Sequence, residues 1–130
     1  MAYDQAGSAI KMTLTAGEDL STFQYCFVMI SADNTVEATD GQTERPIGVL
    51  QNNPGIGQAA TVLLAGVTLL KCGGTIAVGA NVGPENAGTA RAQSVTAPAT
   101  SVACGIAIED GVANQFITAA VNCLSSQAGS

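Results

Sequence analysis

The chain has no histidine and no tryptophan, and only four basic residues and five aromatics (two Tyr, three Phe) among its 130 residues. Without histidine the commonest general base and metal ligand is missing, so Ser–His–Asp, Cys–His and zinc–water schemes lack their central residue. The four cysteines, Cys26, Cys72, Cys104 and Cys123, lie 46, 32 and 19 residues apart with no C-x-x-C pair, which leaves no zinc or iron–sulfur pattern. Each sits in or beside an apolar run, where a free cysteine behaves as a small buried hydrophobe. Reduced thiols are expected in a cytosol, and a disulfide only after exposure to oxidant. Four Lys and Arg against ten Asp and Glu give a net charge of −6 and a pI near 4.1. That balance argues against nucleic acid and against anionic membrane surfaces, both of which are bound largely through cationic side chains. No apolar run reaches the roughly 20 residues of a spanning helix. Met1-Ala2-Tyr3-Asp4-Gln5 lacks the basic and apolar regions of a signal peptide, so synthesis in the cytoplasm is expected.

Charged residues are 11% of the chain, where a soluble domain carries about 25%. Such a surface favours burial in an assembly. A Ser/Thr/Asn/Gln-rich surface is the alternative. Hydrophobic residues are 47% with little aromatic content, so the core must be built from Ala, Val, Leu and Ile. Fifteen Gly and four Pro cut the chain into short pieces, as an all-β domain requires.

Residues 45–66 are the centre of the pattern. Two short apolar runs, 47–50 and 60–65, flank Asn52-Asn53-Pro54-Gly55, with φ preset at Pro54 and positive φ available at Gly55. Strand–turn–strand is the reading. The phrase recurs at 104–121, where a shift of 57 sets Gly48 on Gly105, Val49 on Ile106, Gln58 on Gln115 and Thr61 on Thr118. Ile10, Met12 and Leu14 alternate with polar residues in a half-buried strand. Residues 24–31 are the most β-prone run, and 35–38 a short returning strand. A helical turn over 17–22 is allowed. Residues 67–72 continue 60–65 after a bend or bulge at Gly66. Runs 75–82 and 89–93 flank a turn over 83–88. A shift of 54 sets Asn34-Thr35 on Gly88-Thr89 and Ala38 on Ala92, which puts a three-residue insertion in the loop 94–101. The expected fold is a single all-β domain over 9–124, a β-barrel or β-sandwich of short antiparallel strands with little helix, built by internal duplication. Residues 1–8 form an N-terminal arm and 125–130 a flexible tail.

No catalytic, metal or cofactor-binding constellation emerges. Glu109-Asp110 and Glu18-Asp19 read as solvated turn carboxylates. Gly73-Gly74-Thr75 lacks the lysine of a phosphate loop, and the glycines at 79 and 83 have neither its spacing nor a following helix. Lys71 beside Cys72 reads as a strand-end lysine facing water. An enzyme is not expected.

The runs D-L-S-T-F-Q-Y-C-F-V-M-I, R-P-I-G-V-L-Q-N-N-P-G-I-G-Q-A-A-T-V-L-L-A-G-V-T and C-G-G-T-I-A-V-G-A-N-V, with the closing C-G-I-A-I-E-D-G-V-A-N-Q-F-I-T-A-A-V, resemble the cement (head decoration) proteins of tailed phages. The resemblance covers residues 19–121 and is most specific in 47–52 and 58–62. The extra cysteines and Pro84-Glu85 depart from it. It implies a virion protein on the outer capsid surface that binds the expanded head and bridges major capsid protein subunits. It also implies a homo-oligomer, a trimer by preference, without cofactor, nucleic acid or membrane. Two capsid contacts are expected: the arm, through Ala2, Tyr3, Asp4 and Gln5, adding to a capsid strand, and the restrained loop Asn52, Asn53, Pro54 and Gly55. The alternatives are a receptor- or glycan-binding β module, which would want exposed aromatics, and a hydrolase.

Overall fold

Leu14 and Ala16 point inward from the first strand, β1 (Ile10–Ala16), because alternate residues of a strand face opposite sides. The computed structural model of the chain describes residues 9–41, 44–85, 89–95, 102–125 and 127–128. Four further strands complete a ring with β1: β2 (Phe27–Ala32), β3 (Thr35–Ala38), β4 (Gly48–Leu50) and the first half of β5 (Ala59–Lys71). The order is β1-β3-β2-β4-β5, and β5 pairs back onto β1, so the sheet closes into a five-stranded barrel. All its ladders are antiparallel except that between β1 and β3, where Thr15 and Ala16 run parallel to Thr35 and Val36. The candidate helical turn over 17–22 is a series of bends and turns.

The second half of β5 starts the same ring again. It pairs with β10 (Phe116–Asn122), then follow β9 (Gly105–Ala107), β6 (Asn81–Pro84) and β7 (Ala92–Ser94). A parallel bridge between Cys72 and Ala92 returns β7 to β5, with the Gly73 N–H donating to the Ala92 carbonyl at 2.7 Å. Barrel one closes identically: Ala16 opposes Val36, and the Gly17 N–H donates to Val36 at 2.8 Å. Strand β5 is therefore the last strand of one barrel and the first of the next. A separate pair, β8 (Val102–Ala103) with β11 (Gln127–Ala128), lies beyond a 3-10 turn at Cys123–Ser125.

The duplication is written in the registers. Val28 opposes Gly48 as Val82 opposes Gly105, and Leu50 opposes Val62 as Ala107 opposes Ala119. The offsets correct one sequence expectation. They are 54 at β2/β6 (28 to 82), 56 at β3/β7 (36 to 92) and 57 at β4/β9 (48 to 105). Ala38 thus matches Ser94, not Ala92. Two of the three extra residues enter between β6 and β7, and one enters the loop after β7. Strand β6 also runs through Gly83-Pro84, where a turn was expected. Pro84 is tolerated because its ladder partner is Ala92 on one side, while β9 reaches only Asn81 and Val82 on the other. The irregularity near Gly66 falls two residues early: Ile10 opposes Ala65 and Lys11 opposes Leu63, which skips Leu64.

Two cores result. Leu14, Ala16, Leu20, Val28, Val36, Leu50, Ala60 and Val62 fill barrel one. Their counterparts Leu70, Cys72, Ile76, Val82, Ala92, Ala107, Ile117 and Ala119 fill barrel two. Leu50 becomes Ala107 while Ala60 becomes Ile117, an exchange that conserves volume, which cores tolerate.

Candidate functional site

The hairpin loop between β4 and β5 closes one end of barrel one. Asn52 binds its own hairpin: its Oδ1 accepts from the Thr61 N–H and its Nδ2 donates to the Ala59 carbonyl, both at 3.0 Å. Asn53 is exposed. Pro54 is buried, and its carbonyl accepts from the Leu20 N–H at 2.9 Å. The tight turn lies three residues later than expected, over residues 55–58, where the Gln58 N–H donates to the Gly55 carbonyl. Positive φ falls on Gly57, at 79°, not on Gly55, and the Gly55 N–H donates to Gln58 Oε1 at 2.7 Å. Ile56 is the most exposed large apolar side chain among the described residues, at 71%. Of the four loop residues singled out from sequence, Asn53 presents its side chain outward, Asn52 and Pro54 hold the loop, and Gly55 is half-buried. The other candidates, Ala2, Tyr3, Asp4 and Gln5, lie outside the described residues.

Barrel two repeats this loop. Glu109 replaces Asn52 and accepts from the Thr118 N–H at 2.8 Å, Asp110 accepts from the Val78 N–H at 2.7 Å, and Gln115 Oε1 accepts from the Val112 N–H at 3.0 Å. Glu109 and Asp110 are thus backbone caps, and the Thr118 N–H holds the Glu109 carboxyl below its usual range. Glu18 accepts from the Ala38 N–H, and Asp19 from Ser21. The carboxylates that sequence reading set aside serve the backbone.

Among the described residues no three Cys, Asp or Glu side chains come together to hold a metal ion. Two of the four basic residues, Lys71 and Arg91, converge with Thr22, Thr89 and Cys26 on an open cleft of about 310 Å³. Arg91 Nε binds Glu85 Oε1 at 2.9 Å, and its Nη1 binds Asn114 Oδ1 at 2.6 Å. Lys71 acts electrostatically on Cys26, not on its neighbour Cys72, because adjacent residues of an extended chain face opposite ways. Burial outweighs Lys71 and Arg91 and pushes the Cys26 thiol up to about 11. Burial, then Glu109, raises Cys72. The arrangement activates neither nucleophile.

The outer surface is more informative. Ile10, Met12, Val78, Ile106 and Ile108 are between 42% and 61% exposed, five of the ten large apolar side chains that face solvent among the described residues. Their positions gave no sequence signal beyond strand alternation.

With this geometry in hand, the chain can be set beside known proteins. No protein-family model matches it, and no curated protein matches it. Among solved structures it is similar to the head fiber gp8.5 N base of bacteriophage phi29. The two share 17% identity, with a TM-score of 0.65, over 88% of this chain and 95% of that one. At that identity the likeness is one of fold.

Proposed function

We propose that the chain is a capsid-bound structural protein of a tailed phage. It docks on the outside of the expanded head, bridges major capsid protein subunits and stabilises the shell. The observation that carries this reading is the fold, which matches the base of a phage head fiber along nearly the whole of that chain. The sequence phrases at 45–66 and 104–121 support it, and so does a surface poor in charge and rich in half-exposed aliphatics, suited to repeated contacts whose avidity adds across a lattice. Linkage gives the mechanism: a protein that binds the expanded shell and not its precursor stabilises the expanded state by its binding free energy. Self-association, a trimer by preference, belongs to the same reading.

The test is co-sedimentation of the purified chain with expanded, undecorated shells and with unexpanded precursor shells. Saturable binding to the expanded form alone, at a fixed ratio to the major capsid protein, is the expected result. A folded chain that sediments with neither shell refutes the reading and directs attention to glycans and receptors. Deleting residues 2–8 tests the arm: unchanged shell affinity removes it from the contact.

A further inference from the structure

We propose that copies of this chain join head to tail, the outer face of barrel two in one copy seating the exposed start of β1 from the next. Inside one chain the same kind of contact already exists. The outer face of β4 in barrel one is covered: Val49 is 0% exposed and belongs to one apolar cluster with Leu70 and Ile117 of barrel two. Beside it, Gln51 Nε2 donates to Thr68 Oγ1 of β5 at 3.0 Å. The Lys71 N–H also donates to the Tyr25 carbonyl at 3.0 Å, and the Tyr25 and Phe116 rings meet edge to face at 5.7 Å.

The duplication supplies both halves of this contact a second time, each left exposed among the described residues. On barrel two, Val49 becomes Ile106 and Gln51 becomes Ile108 at the shift of 57, and Gln24, whose Nε2 donates to the Gln51 carbonyl at 2.9 Å, becomes Val78 at the shift of 54. These three are 51%, 49% and 61% exposed. On barrel one, Thr68 becomes Met12, since Met12 opposes Val62 as Thr68 opposes Ala119. Met12 is 42% exposed and Ile10, beside it, 52%.

Polarity decides the occupant. The buried junction inside the chain pairs polar Gln51 with polar Thr68. The two open faces replace both partners by aliphatics, Ile108 and Met12, so each face suits the other as the internal pair suits itself. A second copy of this chain carries the matching half by construction. The faces differ, so the contact is heterologous, and its repetition closes a ring or extends a filament. This deepens the self-association named above, and it stands or falls separately from shell binding because it is measured without shells.

The test uses the full chain, with mass read by light scattering after size exclusion. At roughly 100 µM, far above the Kd of a standard-size interface, an oligomer is expected. Met12→Lys and Ile108→Glu should each weaken association at least about tenfold, since each buries an unpaired charge. The double variant, which places Lys against Glu across the contact, should recover it. Circular dichroism should stay native throughout, because both side chains are half exposed in one copy. As a second measurement, a Met12→Cys chain mixed with an Ile108→Cys chain should form a cross-linked heterodimer, and neither should cross-link alone; the native cysteines are buried. A monomeric wild type, an oligomer that survives both single substitutions, or cross-linking of Met12→Cys to itself overturns the proposal.

Discussion

Gly48 and Gly105 occupy the same place in the two barrels, and each lies where a neighbouring strand leaves no room for a side chain. A Cβ built on Gly48 would sit 2.4 Å from the Leu63 carbonyl oxygen; one built on Gly105 would sit 2.6 Å from that of Ala120. Leu63 and Ala120 are themselves equivalent, so both barrels use one close approach. The obstacle is backbone, which cannot swing away as a side chain can. An alanine at either position must push the strands apart by several tenths of an ångström, and overpacking of this kind costs about 1–3 kcal/mol. With ladder hydrogen bonds on both sides of the shift, the upper part of that range is expected. Gly74 is the control, because a Cβ there meets nothing within 4 Å, and an open surface substitution stays within about 0.5 kcal/mol. The assay is equilibrium denaturation in urea, with stability read from the midpoint at constant slope. Gly48→Ala and Gly105→Ala should fall together, each well below wild type, with Gly74→Ala unmoved. If either substituted barrel strand is as stable as the Gly74 control, the close-approach reasoning is refuted. A large gap between the two would refute their equivalence.

Three shorter expectations follow from polar and titratable groups. Thr39 is fully buried, and its hydroxyl finds no partner among the described residues; Thr39→Val should stabilise by about 1 kcal/mol in the same urea assay, and destabilisation would mean the hydroxyl is bound. With Cys26 near 11 and Cys72 and Cys104 also raised by burial or hydrogen bonding, a disulfide reagent near pH 8 should label the native chain far more slowly than the unfolded one; rapid stoichiometric labelling would contradict the packing. Glu109 has a folded pKa below its usual 4.5, so it contributes stability above that value and loses it as pH falls through the folded pKa. Glu109→Gln should therefore flatten the decline of Tm between about pH 5 and 3 relative to wild type, and an unchanged slope would remove the cap from the account.

Much of the fold was legible because the repeated phrases carry turn chemistry. Gln58 and Gln115, matched from sequence, each cap the turn that precedes them, and Thr61 and Thr118 each donate to a cap at the equivalent position. The misplaced offset at β3/β7 has a physical reason. An error of two residues preserves the inward and outward alternation of a strand, so Ala38 on Ala92 looks as good as Ala38 on Ser94. The sharing of β5 was hidden because a strand with one buried and one half-buried apolar face reads as a continuous apolar run, whatever its neighbours are. The loop at Asn52–Gly55 was read correctly as a hairpin connection, but composition does not say whether a proline faces solvent; Pro54 turns inward because Leu20 binds its carbonyl. The exposed aliphatics of β1 and β9 became meaningful only once the registers showed which residues are equivalent.

Strand β5 is 13 residues long and spans roughly 40 Å, and both barrels are hydrogen-bonded along it. There is no linker between them to bend. Whatever each barrel presents on its outer side is therefore held at one spacing and one angle, as on a rigid ruler. A partner whose sites match that spacing engages the second barrel without the entropy loss a flexible tether would impose, and one whose spacing differs engages a single barrel and gains nothing from the other. In the capsid-bound role proposed above, the chain would discriminate by distance as well as by chemistry, and a shell that changes its lattice spacing would gain or lose it as a whole.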